Sequence, residues 1–276
     1  MGMIDFKVDE GKCIECGLCA QECPVGIIQL KPKPFIREAK EKLCMECQHC
    51  LAVCPTAAVS ILGKKPEDSV SAKGEFPGVE AMGRLIKTRR SIRKYKKENI
   101  EKETIYNLIN TAAYAPTGHN SNSVRFAVVD NLEDMDKVRN SVYDSIKAIS
   151  ESGKLSANYT FMASYQKVWE NKGVDIIFRG APHMIISSAP KSNTSPVADS
   201  IVALTYFELL ANSMGIGTLW NGMIKWSIED IDPTLKLELG IPEDHVIGYI
   251  MLFGKSAVKY ARGIQNGEAQ VKRIKL

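Results

Sequence analysis

The chain has 276 residues, 45% hydrophobic and 25% charged, with a formal net charge of +4. Those fractions exclude a disordered or collagen-like chain, and the length suits two domains or one large one. No apolar run approaches the ~20 residues of a membrane-spanning helix, and the first residues, with Asp5, Asp9 and Glu10, contain no apolar signal core. A cytoplasmic protein with no membrane association is expected. Residues 1–62 carry net −1 and residues 63–276 net +5, so neither part is basic enough to argue for a nucleic-acid partner.

All 8 cysteines lie between Cys13 and Cys54, and the rest of the chain has none. In a reducing compartment such a cluster points to metal rather than to disulfides. Residues 13–24 read CIECGLCAQECP and residues 44–55 read CMECQHCLAVCP, one C-x2-C-x2-C-x3-C-P run repeated at an offset of 31 residues. This run resembles that of the bacterial ferredoxins with two [4Fe-4S] clusters. The resemblance implies one cluster held by Cys13, Cys16, Cys19 and Cys54 and a second held by Cys44, Cys47, Cys50 and Cys23. Three thiolates spaced by two residues cap three corners of a cubane, and the fourth, followed by Pro, reaches the other cluster. Two zinc sites are the competing reading, since C-x2-C pairs also build zinc ribbons, but zinc gives no reason for two identical four-cysteine runs. His49 is then a neighbour that tunes a cluster rather than a ligand, because cysteines already fill the count.

After Leu62 the composition changes to Gly, Pro, Ser and charge over residues 63–78. This divides the chain into a cluster domain (1–62), a linker (63–82) and a second domain (83–276). Ile105, Leu108, Ile109 and Ala112 predict a one-faced helix ending before Pro116. A strand follows over Val124–Val129 and a helix over Leu132–Ile149. Further on come a strand over His183–Ser187, a long apolar helix over Val197–Met214 stopped by Gly215, a short strand to Trp220, and a buried strand over His245–Phe253. The fold class is α+β, a sheet flanked by helices behind a small ferredoxin-like domain.

Four segments in order resemble the nitroreductase family of FMN-dependent reductases: RRSIR at 89–93, APTGHNSN at 115–122, MGIGTLWNG at 214–222, and Leu239 through Gly254 to Arg262. The resemblance spans about residues 83–265 and implies an FMN-binding homodimer with each FMN at the subunit interface. It assigns Arg89, Arg90, Ser91 and Arg93 to the phosphate and ribityl chain, for which guanidinium forks and a hydroxyl are suited. It puts the loop of Pro116, Thr117, Asn120 and Asn122 at the pyrimidine edge of the flavin, and the backbone N–H groups of Gly222 and Met223 near its N5. Lys259 and Arg262 match a second phosphate-binding cluster. The chain departs from many relatives at Asn122-Ser123-Val124, where they carry Gln-Pro-Trp, and at Met223, where Gly is common; a differently shaped pocket is expected.

Plainer readings stand beside these. Eight basic residues between Arg84 and Lys97, with no acid, could be a nucleic-acid patch or a solvated face, although Tyr95 is the sole aromatic among them. The Pro116–Asn122 loop has ordinary turn composition, and Lys259 and Arg262 could belong to a basic tail. Gly215-x-Gly217 follows a helix and lacks the third Gly of a dinucleotide fingerprint. Residues 156–179, rich in aromatics, are either a flap over the flavin or an amphipathic helix covering core.

Clusters that carry single electrons joined to a flavin imply an oxidoreductase. An external low-potential donor such as ferredoxin feeds the clusters, and FMN passes electrons to a small organic acceptor, for instance a nitroaromatic or a quinone. No catalytic His, Cys or Ser constellation is expected. Direct reduction by NAD(P)H and a non-catalytic redox sensor or electron carrier are the alternatives.

Overall fold

The computed structural model describes residues 4–276, in two compact units that divide between Phe76 and Pro77. The first unit is built from the cysteine repeat. Its strands are β1 (Lys7–Val8), β2 (Ile28–Leu30), β3 (Pro34–Ile36) and β4 (Val59–Ser60), and its short helices are α1 (Leu18–Gln21) and α2 (His49–Ala52). β1 pairs antiparallel with β4, and β2 with β3. The 31-residue offset holds in the backbone as well as in the letters. α1 and α2 start at matched positions, and left-handed φ recurs at Glu15 and Glu46, at Gly17 and Gln48, and at Gly26 and Ala57. Gly26 adopts that conformation freely, whereas Ala57 pays a steric cost for it. The core is small: Ile4, Ile27, Ile28, Leu51, Val59 and Ile61, with Cys19 and Cys50 buried among them.

The second unit opens with α3 (Val79–Thr88), so helix already begins inside the 63–82 stretch read as linker. α4 (Lys102–Ala112) follows and buries Ile105, Leu108 and Ala112, the face its spacing marks out. Next come β5 (Arg125–Val129), α5 (Leu132–Glu151), α6 (Thr160–Lys172), β6 (His183–Pro190), α7 (Pro196–Ser213), β7 (Ile216–Trp220), α8 (Gly222–Trp226), α9 (Leu235–Glu238) and β8 (His245–Lys255). The strands form one antiparallel sheet in the order β5-β6-β8-β7. Both faces of its centre are covered. Met184, Ile186, Ile250 and Leu252 join a cluster with α5 and α6, while the alternate residues Ile185, Met251 and Phe253 join one with α4 and α7. Burial on both faces explains why β6 and β8 read as continuous apolar runs rather than alternating ones.

One buried ion pair fixes the entry to β6. Asp175 accepts hydrogen bonds from Arg139 Nε at 2.8 Å, Tyr143 Oη at 2.9 Å and the N–H groups of Phe178 and Gly180 at 2.8 and 2.9 Å. The turn it gathers includes Arg179 at φ 58° and Gly180 at φ 66°. Among the described residues no helix is long and apolar enough to cross a membrane.

Candidate functional site

In the first unit the eight cysteines sort into two sets, each around its own cavity. One cavity is lined by Cys13, Cys16, Cys19 and Cys54, and the other by Cys23, Cys44, Cys47 and Cys50. All eight are free thiols. Among the described residues no group of three or more His, Cys, Asp or Glu is placed to hold a metal ion at one point; the thiols ring a space instead. Burial pushes Cys50 up to about 11 and also raises Cys19 and Cys44. A buried thiol of that kind is held as thiolate by bound metal, with release of its proton. The donor set, four sulfurs around each space, fits a [4Fe-4S] cluster. His49 lines the second cavity beside Cys50.

In the second unit the basic segment runs along the edge of the sheet. Ile92 N–H donates to Thr218 O at 2.9 Å, Lys96 N–H to Lys255 O at 2.9 Å, and Ala257 N–H to Lys94 O at 2.9 Å. Gly217 is required for this approach, because a Cβ there would stand 2.4 Å from Ile92 Cγ1. The Gly-Ile-Gly run thus serves strand packing. Arg89 Nη1 meets the buried carboxylate of Glu208 at 3.2 Å, and Glu208 also accepts from Thr218 Oγ1 at 3.0 Å. Arg90 donates to the Arg89 and Lys87 carbonyls, and the exposed Arg93 to Ser91 O. Together with Lys87 these residues line a cleft of about 870 Å³, closed on its other side by Tyr260, Ile264 and Gln265. Four cations and the Ser91 hydroxyl around that volume fit a phosphorylated cofactor. The tail reaches the cleft by packing Gly263 where a Cβ would lie 2.6 Å from Lys87 O. Lys259 and Arg262 are exposed on this tail but do not line the cleft.

The loop of Pro116, Thr117, Asn120 and Asn122 is built elsewhere in the unit. Gly118 N–H donates to Asp199 Oδ1 at 3.0 Å, Asn122 N–H to Thr117 Oγ1 at 3.0 Å, and Thr194 Oγ1 pairs with His119 Nδ1 at 3.1 Å. His119, Asn120 and Asn122 all have left-handed φ, a conformation Asn tolerates better than most residues. The loop therefore sits on the start of α7, and none of its residues lines the arginine cleft. Gly222 and Met223 open α8. Asn221 caps it by accepting from Ile224 N–H at 3.0 Å and donates to Ile177 O at 2.7 Å. The first-turn N–H groups of Gly222 and Met223 have no partner within the helix. A Cβ on Gly222 would lie 3.1 Å from Tyr249 Oη and 3.5 Å from Trp226, so the residue keeps a narrow space clear.

Residues 156–179 contain α6, which covers core: Met162 and Gln166 are buried, and Trp169 stacks on Tyr143 with centroids 5.0 Å apart. Its start leaves an aromatic corner, where Phe161 and Tyr159 approach Trp226 at 6.3 and 5.9 Å. Sequence reasoning missed Glu208 and Asp199. Both are acids within an otherwise apolar helix, and that mismatch was the available signal.

Residues 86–255 match the nitroreductase family model. The chain belongs to the nitroreductase family. Residues 6–61 match the 4Fe-4S dicluster domain model, so this nitroreductase-family chain carries a ferredoxin-like unit ahead of its oxidoreductase fold. A relative from Archaeoglobus fulgidus, named as an NADH dehydrogenase/NAD(P)H nitroreductase, is 26% identical over 175 residues, 62% of this chain and 83% of its own length. Among solved structures, a nitroreductase with bound FMN from Bacteroides fragilis aligns with a TM-score of 0.57 at 19% identity, over 70% of this chain and 98% of that one. Another with bound FMN, from Desulfitobacterium hafniense, aligns with a TM-score of 0.53 at 22% identity, over 69% and 98%. These two likenesses establish the fold.

Proposed function

We propose that this nitroreductase-family oxidoreductase is an iron–sulfur flavoprotein that takes electrons from a low-potential donor such as a ferredoxin and reduces a small organic acceptor. The observation that carries the reading is the pair of four-cysteine cavities on the same chain as a family fold with an arginine-lined cleft. When bound, the clusters supply one-electron transfer and FMN one- or two-electron transfer, so the chain joins a single-electron source to a two-electron reduction. The cysteine sets hold the clusters. Arg90, Ser91 and Arg93 bind the FMN phosphate and ribityl chain, and Arg89, tied to Glu208, orients that segment. Gly222 keeps side chains away from the flavin edge, and the corner of Tyr159, Phe161 and Trp226 selects the acceptor by stacking.

The second half of the flavin site is supplied by another copy of the chain. Two observations support a homodimer: α7 is apolar on all sides, with Val197, Ile201 and Tyr206 exposed, and the Asn120–Asn122 loop lies outside the cleft it is expected to complete. Light scattering of the purified protein is expected to give twice the chain mass.

Anaerobically purified protein is expected to contain iron, acid-labile sulfide and FMN. In stopped flow with a one-electron donor, the cluster absorbance is expected to bleach before or together with the flavin. Normal flavin reduction by that donor in the Cys44→Ser, Cys47→Ser double variant would sink the relay. The A. fulgidus relative's name favours one other reading, direct reduction by NAD(P)H. Anaerobic NADH titration separates the two: full flavin reduction by NADH with no response to reduced ferredoxin selects the second.

A further inference from the structure

The two halves of the cysteine repeat share a backbone but differ in what reaches the thiol of the Cys-Pro cysteine. Cys54 Sγ accepts the N–H of Ala58 at 3.2 Å and lies 3.8 Å from Thr56 Oγ1. At the matched position in the first half, 31 residues earlier, Val25 replaces Thr56. Val25 carries no hydroxyl to offer Cys23 Sγ. The turns themselves correspond: Ala57 N–H donates to Cys54 O, and Gly26 N–H to Cys23 O. Solvent access differs in the same sense at one matched pair, Cys16 being exposed and Cys47 half-buried. The cavity of Cys23, Cys44, Cys47 and Cys50 is lined by Ile27, Ile28, Ile36 and Ile61 and also by Gln48 and His49, with Glu46 N–H donating to Cys44 Sγ at 3.4 Å. The other cavity includes Glu15 and Thr56, and its Cys16 is exposed.

We propose that Thr56 sets a redox potential: its hydroxyl donates to the Cys54 thiolate and makes the cluster of Cys13, Cys16, Cys19 and Cys54 the more easily reduced of the two. A metal-bound thiolate carries no proton, so the hydroxyl is the donor and the sulfur the acceptor. Reduction adds one electron from an external one-electron reductant, breaks no bond and moves no proton. The added negative charge is stabilised by donors at sulfur and by solvent, both determinants of cluster potential. The inference rests on each cysteine set holding a [4Fe-4S] cluster, as proposed above, and iron and sulfide counts on the same samples test that reading separately.

The experiment is an anaerobic redox titration of the full-length holoprotein followed by electron paramagnetic resonance. Two separated midpoint potentials are expected. Thr56→Val keeps the side-chain shape and removes the hydroxyl. It is expected to lower the reduction equilibrium of the higher-potential cluster roughly threefold to tenfold, the weight of one modest hydrogen bond. That is about 30–60 mV for one electron. Thr56→Ser is expected to restore most of it, and Val25→Thr to raise the lower potential and narrow the gap. Unchanged potentials in both Thr56→Val and Val25→Thr, at a full count of about eight irons, would overturn the proposal, as would a Thr56→Val shift confined to the lower-potential cluster. If Thr56→Val loses iron, Val25→Thr decides alone, since it leaves the bonds to Cys54 in place. A low iron count in the unsubstituted protein refutes the cluster reading instead.

Discussion

In the first unit the functional atoms are part of the core; in the second they lie around it. Cys19 and Cys50 are buried among Ile27, Ile28, Leu51, Val59 and Ile61, and this small cluster is the main apolar core of the unit. The second unit instead packs two apolar clusters against opposite faces of its sheet, and its arginine cleft lies at the margin. A domain of fewer than about 80 residues rarely stands on apolar burial alone and commonly needs a metal or a disulfide. With free cysteines and so little aliphatic burial, the first unit depends on what its thiols hold. The second unit does not need its cofactor to close its core.

The sharpest test of this contrast is removal of iron by chelation. Residues up to Phe76 are expected to lose protection from hydrogen exchange at Ile27, Ile28 and Val59, while β6 and β8 stay protected. Equal retention in both units would break the comparison. Within the second unit, Asp175→Ala strips Arg139 of its buried partner and frees the turn into β6. Arg139 keeps its exposed partner Asp136 and its bond to the Ala181 carbonyl, so the cost is expected to fall below the about 3–5 kcal/mol of a fully uncompensated buried charge, to be read from urea unfolding of the second unit with the first unit's signal unchanged.

A smaller effect comes from His183, fully buried, with Nε2 accepting Ile100 N–H at 3.0 Å. Burial pushes it down from 6.5 to about 4. Because the unfolded chain binds the proton first, stability is complete above pH 6.5 and declines as the pH falls toward 4, by at most about 3 kcal/mol. Urea midpoints between pH 7 and 5 are expected to show the decline, and His183→Gln to flatten it. A slope unchanged by that substitution would place the titration elsewhere.

The same contrast explains how much could be read without coordinates. The cysteine sets are legible because each three-cysteine run acts within one short loop, so spacing alone carries the geometry. α4, α5, α7 and the central strands are legible because their apolar periodicity is local; α5 extends two residues past the expected Ile149 and β6 three past Ser187. The linker reading over 63–82 took in the first four residues of α3, a helix that is one-faced in sequence but buries none of its residues. Glu208 beneath Arg89, Asp199 beneath Gly118 and Asp175 beneath Arg139 were hidden, since each pairing joins residues more than 30 positions apart.

By itself, then, the sequence determined the two four-cysteine runs, the order of the main helices and strands, and the segments shared with the nitroreductase family. Tertiary structure alone decided that Arg89 is tethered to a buried acid, that Lys259 and Arg262 stand outside the cleft, and that the Thr56 hydroxyl lies beside Cys54 Sγ. Periodicity and spacing act over a few residues and survive in one dimension. Charge pairing, close approach and hydrogen bonds to buried atoms act through space, and only the folded chain brings their partners together.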